Sequence, residues 1–246
     1  MAVELSYCVV SAEQRQLLRY CLDSIARERA AVPFETEVLV LDNASVDGSA
    51  GTARGHPATT EVLALTQRRG RAENDATLLR QAGGRYCLLL QGDSELEPGT
   101  TAALHAALDA HREAAVAGAT LVDHEGRRRP SAWRFPGPWT ALLTALGLHS
   151  RLVVQSRGTR VREVDWVQGV AKLVRREAAE AVGLLASSSS AAEADFCRRL
   201  RGGGWTVLHV PEARAVHHEE GRRPTAPSGR VVALSRHRHR YGGRRP

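Results

Sequence analysis

Residues 88–99 read Leu88-Leu89-Leu90-Gln91-Gly92-Asp93-Ser94-Glu95-Leu96-Glu97-Pro98-Gly99. Three leucines run into two carboxylates and then a Pro-Gly turn. A short apolar run bounded by turn residues fits a strand buried on both faces. Asp93 and Glu95 therefore stand where that strand leaves the sheet, and in extended backbone residues two apart share one side of the chain. Such a pair suits a hard divalent cation that keeps positions open for phosphate oxygens. Taken alone, an Asp-x-Glu pair reads as a solvated acidic turn, so the surrounding pattern has to decide.

That pattern alternates. Residues 5–10 read as a strand, 14–27 place Leu17, Leu18, Cys21, Leu22 and Ile25 at helical spacing, and 37–41 form a second apolar run. This is a β-α-β unit. A run at 62–65, a helix at 74–81, a strand at 86–90 and a helix from Thr100 or Thr101 to Glu113 continue it. The expected class is α/β, with a mostly parallel central sheet flanked by helices and ligands at the carboxyl ends of its strands. The later chain is irregular. It predicts a helix at 139–148, a strand and turn at 164–170, helices at 177–182 and 195–200, a serine-rich loop at 187–190 and a last strand at 205–210.

At 246 residues and 43% hydrophobic, the chain has enough apolar material for one large core. The reading is a domain over 1–220, divided into halves at 1–120 and 121–220, followed by a basic tail at 221–246. Eight arginines and no acid lie in that tail, so the net charge of +7 leaves the first 220 residues one negative charge from neutral. A neutral body argues against nucleic-acid binding. No run of 18 uncharged apolar residues occurs, and no basic-then-apolar leader opens the chain, which predicts a cytoplasmic protein. Cys8, Cys21, Cys87 and Cys197 are scattered and read as reduced, buried thiols.

A second acidic strand end follows residues 37–41, where Asp42-Asn43-Ala44-Ser45-Val46-Asp47-Gly48 offers carboxylates to a base or ribose. A plain Asp-Asn-Gly turn accounts for Asp47 equally well. Taken together, these motifs resemble glycosyltransferase family 2, the inverting group with the GT-A fold, in a rhamnosyltransferase-like form. The resemblance covers about residues 5–241. It rests on 10–25, 41–49, Gly70-Arg71-Ala72-Glu73-Asn74-Asp75, 90–99, 164–177, 193–205 and Val216-His217-His218-Glu219-Glu220-Gly221.

The resemblance implies an enzyme that transfers a sugar from a nucleotide-diphosphate donor to a glycan, lipid-linked or small-molecule hydroxyl, in glycan or glycoconjugate assembly. Asp42, Asn43, Asp47, Gly70, Asn74 and Asp93 would hold the nucleotide. Asp93, Glu95 and His218, or His217 in its place, would hold Mn2+ or Mg2+, and Glu193 or Asp195 would supply the catalytic base. Glu193, read as preceding its helix on a loop, is the expected base. The chain departs from the family at Ala12-Glu13, at Lys172 where an apolar residue is usual, and at Ala186–Ala192, which is serine-rich and short. A non-catalytic binder of nucleotide or glycan and a nucleotidyltransferase are the rival readings. The arginine tail with Trp133, Phe135 and Trp139 adds the expectation of peripheral contact with the inner face of a membrane.

Overall fold

The computed structural model describes residues 2–135, 137–148, 153–183 and 192–218; the serine-rich loop 187–190 and the tail 221–246 lie outside these. Strand β1 (Leu5–Ser11) leads into helix α1 (Arg15–Ala31), β2 (Thr36–Asp42) into α2 (Ser49–Gly55), and β3 (Glu61–Ala64) into α3 (Arg71–Gln81). Then comes β4 (Tyr86–Gln91). All four strands run parallel, with β2 and β4 flanking β1, in registers that set Ser11 level with Asp42 and Val10 level with Gln91. The polar residues that end these strands thus meet along one edge of the sheet.

The chain continues through β5 (Ser94–Leu96), α4 (Thr100–Ala110), β6 (Ala114–Val122), β7 (Arg128–Arg129), β8 (Ala132–Trp133) and α5 (Pro138–Ala145). It ends with β9 (Arg162–Glu163), β10 (Trp166–Val167), β11 (Ala171–Arg175), α6 (Arg176–Ala181), α7 (Ala192–Gly202) and β12 (Thr206–His217). The main sheet has the order β3-β2-β1-β4-β11-β6-β12-β5, with β7 on β6 and β9 on β12. β11 runs against β4 and β6, whereas β6 and β12 are parallel. This is the mostly parallel α/β sheet that the apolar runs imply.

Several boundaries differ from the sequence reading. The helix expected to reach Glu113 stops at Ala110, because residues 114–122 form a strand buried along its whole length. Its alanines and glycine mask it in the sequence, yet small residues are what the site requires: a Cβ on Gly118 would come within 2.6 Å of Val167. A division at residue 120 falls inside β6, so the two expected halves share one sheet. β12 runs past residue 210 to His217, with Pro211 at the register shift between Val210 and Arg214, where a residue without an N–H is tolerated. β8 and β10 form a separate ribbon in which Trp133 stacks on Trp166 at 4.6 Å. Trp133 is only 4% exposed and Phe135 is half-buried, so of the three aromatics expected at a membrane only Trp139, at 76% exposure, is available.

The sheet is covered on both faces, as strand alternation requires. Leu5, Tyr7, Val9, Leu88, Leu90 and Leu173 pack with Leu18, Leu22 and Ile25 of α1 and Leu104 and Leu108 of α4. Cys8, Leu39, Leu41, Cys87, Leu89 and Val174 pack on the other face with Leu79 of α3 and Phe196 and Leu200 of α7. Burial pushes the Cys21 thiol up to about 12 and the Cys197 thiol up to about 11, so both are inert packing groups.

His209 lies fully inside this core, 3.3 Å from Thr120 Oγ1. Burial, reinforced by the charges of Arg162 and Arg128, pushes its pKa down to about 4. The unfolded chain, with an ordinary imidazole, binds the proton first as pH falls. Stability from this residue is therefore complete above pH ~6.5 and is lost progressively down to pH ~4, by about 3 kcal/mol in total. Urea unfolding of His209→Gln across that window is expected to show a correspondingly flatter pH dependence than the parent.

Candidate active site

At the end of β2, Asp42 is 2% exposed. Its Oδ2 accepts from Ser45 N at 3.0 Å, while Oδ1 has no partner among the described residues. A buried carboxylate oxygen left in this way is costly unless a ligand meets it. Asn43 clamps the backbone of Arg69, donating to its oxygen at 3.1 Å and accepting from its nitrogen at 2.8 Å, and so ties the loop after β2 to the approach to α3. Glu13 and Ala44, in the loops after β1 and β2, both adopt positive φ (53° and 56°). Such backbone costs about 1–3 kcal/mol per residue and clusters at functional edges.

Asp47 has a different task from the one expected of it. Its Oδ2 accepts from Arg15 N at 2.8 Å, and its Oδ1 accepts from Ser49 N at 2.9 Å and Ser49 Oγ at 2.6 Å. Burial opposes ionisation, but these donors outweigh it and hold the carboxyl below its usual range. Asp47 therefore caps the starts of α1 and α2, and its carboxylate is spent on protein groups rather than on a nucleotide. Gly70 precedes α3 with open space where a Cβ would stand. Asn74, in the first turn of that helix, is fully buried with neither amide atom partnered among the described residues.

Asp93, after β4, is 8% exposed. Gln14 Nε2 donates to its Oδ2 at 3.0 Å, and His217 Nε2 lies 3.5 Å from the same oxygen. Burial raises the cost of its charge, yet the hydrogen bonds from His217 and Gln14 keep its pKa below the usual carboxylate value. Glu95 faces elsewhere: its Oε1 pairs with Arg27 at 3.0 Å and its Oε2 with His218 at 3.5 Å. The expected set of Asp93, Glu95 and His218 is thus divided, Asp93 with His217 and Glu95 with His218. The turn at Gly92 and Asp93 breaks the extended backbone that would have kept both carboxylates on one side. Among the described residues no three His, Cys, Asp or Glu side chains converge at metal-holding distances. One carboxylate and one imidazole remain, a donor pair that fits a divalent cation whose other positions go to phosphate oxygens and water. His217 and His218 also line a cleft of about 290 Å³ with Leu17, Asp123, His124, Arg127 and Arg129.

Gln91 links this corner, through Arg71, to Gly169. Its amide lies 3.1 Å from His217 Nε2 and, turned so that nitrogen faces Asp93, donates to Asp93 Oδ1 at 3.2 Å and accepts from Arg71. Arg71 in turn donates to Gly169 O. A Cβ on Gly169 would overlap Glu193 Oε1, so only glycine allows the carboxylate of Glu193 to lie against this backbone. Glu193 lies inside α7, in its first turn, rather than on a loop before it. An acid there faces the positive end of the helix dipole. Asp195 points away: it is exposed and pairs with Arg199 at 3.2 Å, as two residues separated by about 200° on a helix must diverge. It holds no position against Gly169.

Beneath Glu193 lies a charge cluster that the motifs only partly signal. Lys172, in β11, is fully buried on the face covered by α3 and α7, and its Nζ has no hydrogen-bond partner among the described residues. Asp75, 1% exposed, pairs with Arg71 Nε at 3.3 Å through Oδ2 and leaves Oδ1 unpartnered. Burial pushes the Asp75 pKa up, Arg71 and Lys172 pull it back, and Glu193 adds to the rise. Removing one member of a buried charge set costs about 3–5 kcal/mol, whereas replacing oppositely charged members together by apolar residues is often neutral. Lys172→Leu is therefore expected to destabilise by about 3 kcal/mol or more in urea unfolding, and Lys172→Leu with Asp75→Leu to recover most of the loss. Equal losses in both variants would show that the two charges are not coupled.

The chain belongs to glycosyl transferase family 2, whose sequence pattern matches residues 6–181. Among solved structures, the mannosyltransferase PcManGT from Pyrobaculum calidifontis, in complex with GDP-Man and Mn2+, aligns at TM-score 0.66 and 19% identity over 100% of this chain and 66% of its own. GalNAc-T7 with UDP, GalNAc and Mn2+ aligns at TM-score 0.66 and 16% identity, over 95% of this chain and 48% of its own. S. aureus TarS 1-349 in complex with UDP-GlcNAc gives 0.63 and 16%, over 94% and 65%. The chain thus spans from about half to about two thirds of the length of these proteins. At such identities the likeness is one of fold. No curated protein sequence matches the chain.

Proposed function

We propose that the protein is an inverting glycosyltransferase that moves a sugar from a nucleoside-diphosphate donor to a hydroxyl of a glycan, lipid-linked or small-molecule acceptor. The observation that carries this reading is the placement of two carboxylates. Asp93, with His217, stands at the strand-end edge, and Glu193 stands against Gly169, with Gln91 and Arg71 spanning the interval. Asp42 and Asn74, with their unpartnered buried polar atoms, are the candidates for base and ribose contacts. A divalent cation, Mn2+ or Mg2+, held by Asp93 and His217 would neutralise the leaving diphosphate.

Glu193 has the position of a general base. It takes the proton of the acceptor hydroxyl as that oxygen bonds to the anomeric carbon, while the bond from that carbon to the diphosphate breaks on the opposite face. Attack opposite the leaving group inverts the configuration. The released product is a nucleoside diphosphate, which separates this chemistry from nucleotidyl transfer and its pyrophosphate.

A panel of UDP-, dTDP- and GDP-sugars, scored first by thermal shift with Mn2+, identifies the donor because a ligand stabilises the state it binds. With that donor, Glu193→Gln is expected to lower kcat by about 10²–10⁴-fold while leaving donor affinity nearly unchanged. Full turnover in that variant would remove Glu193 from the mechanism. In the same thermal-shift assay, Asp93→Ala is expected to abolish Mn2+-dependent stabilisation by nucleoside diphosphate, and Glu95→Ala to retain most of it. The reverse pattern would return the metal to Glu95.

A further inference from the structure

Helix α5 is built inside out. Thr140 is 5% exposed, and its hydroxyl accepts from Gly137 N at 2.7 Å and lies 2.8 Å from Gly137 O. Thr144 Oγ1 donates to Thr140 O at 2.7 Å, so the hydroxyls of this helix are taken up by its own backbone. The outer face carries Trp139 (76% exposed), Leu142 (46%) and Leu146 (62%), at the spacing of one helix stripe. Among the described residues six large apolar side chains are exposed; two of them, Trp139 and Leu142, are on this short helix and a third, Leu146, caps its C-terminus.

The charge around this stripe is equally one-sided. Between Glu125 and Glu163 the chain carries eight arginines and not one aspartate or glutamate. Arg134, just before α5, and Arg157, Arg160 and Arg162 after it are exposed. Residues 153–156 lie alongside β8, with Trp133 bridged to Val154 and Gln155 N donating to Ala132 O at 2.7 Å, so these arginines extend from the same ribbon that leads into α5. An apolar stripe with an outward tryptophan, flanked by exposed arginines, matches the boundary of an anionic bilayer: the indole and leucines enter the headgroup–acyl region, and the arginines meet lipid phosphate. A second copy of the same surface fits poorly, because pairing it would bring like charges together.

We propose that α5 is a membrane-docking helix that lies in the plane of an anionic bilayer with Trp139, Leu142 and Leu146 buried in it. No described helix is long and apolar enough to cross a membrane, so this is attachment in the interface. The ribbon gives the docking a purpose. β8 runs into α5, while its partner β10 runs through Gln168 to Gly169, the residue on which Glu193 rests. Docking would therefore hold the acceptor side at the lipid surface, which favours a lipid-linked hydroxyl; this last step, unlike the docking, rests on the proposed function.

The test uses the full chain with phosphatidylcholine vesicles, with and without phosphatidylglycerol, and reads binding rather than sugar transfer, so its failure is separate from failure of the catalytic reading. Co-sedimentation is expected only with the anionic vesicles and is expected to fall at least roughly tenfold when Trp139, Leu142 and Leu146 are all changed to Ser, since their burial in the bilayer is then lost. With brominated lipid, part of the tryptophan emission is expected to be quenched in the parent, and that quenching to be absent in Trp139→Phe, a variant that keeps an apolar ring and needs no change in fold. Undiminished co-sedimentation of the triple variant, as would follow if the arginines of 221–246 alone bound the lipid, overturns the proposal. So does quenching that persists in Trp139→Phe, or a lipid-free dimer that the triple variant dissolves.

Discussion

The parallel pairing of β1 with β2 and β4 determines where charge can reside in this protein. Those strands are buried on both faces, so a carboxylate is admitted only where a strand ends, and the register brings the ends together. Asp42 and Asp93 therefore stand at the same end of the sheet, on the two strands that flank β1, although 50 residues of chain separate them. The loops that leave these ends are held by further polar contacts, Asn43 to the backbone of Arg69 and Asp47 to two helix starts. A carboxylate with an open oxygen, Asp42, and a fully engaged one, Asp47, thus stand five residues apart, and what distinguishes them is whether protein groups already satisfy their oxygens.

Legibility from the sequence follows the same division. Strands that alternate with amphipathic helices announce themselves by apolar runs, and Leu88 to Leu90 lead directly to Asp93. β6 and β11 are harder to read because they lie at the centre of the sheet, where packing calls for Ala, Gly and even Lys172 rather than a run of branched residues. Spacing in an extended chain groups Glu95 with Asp93, but the turn at Asp93 gives Glu95 other partners. The sequence offers His217 and His218 alike, and only the course of β12 to residue 217 puts His217 beside Asp93. Arg71 and Gln91, which join the two sides of the site, carry no signal in spacing at all. They are identified by what they touch.

Lys172 illustrates how a departure from a family pattern acquires a cause. In the sequence it is an isolated cation in place of an apolar residue. In the fold it shares the face beneath α3 and α7 with Asp75, another buried charge, and lies near the carboxylate of Glu193. The two charges make sense as a set, since either alone in that core would be a heavy electrostatic liability. A cluster of this kind ties the surroundings of Glu193 to the packing of the sheet, so substitutions made for stability at positions 75 or 172 would also act on that carboxylate.

The placement of β11 between β4 and β6 has a consequence for synthesis. On the ribosome, β1 through β4 emerge first and can pair among themselves, but the open side of β4 stays unpaired until residue 175 has been made, and β6 waits for both β11 and β12. An exposed strand edge invites pairing with another chain. Pairings between strands so distant in sequence also slow closure of the sheet. The nascent chain therefore passes through a long interval in which β1 to β4 exist without the centre of the sheet, and β6 gains its neighbours only after β11 and β12 have been made.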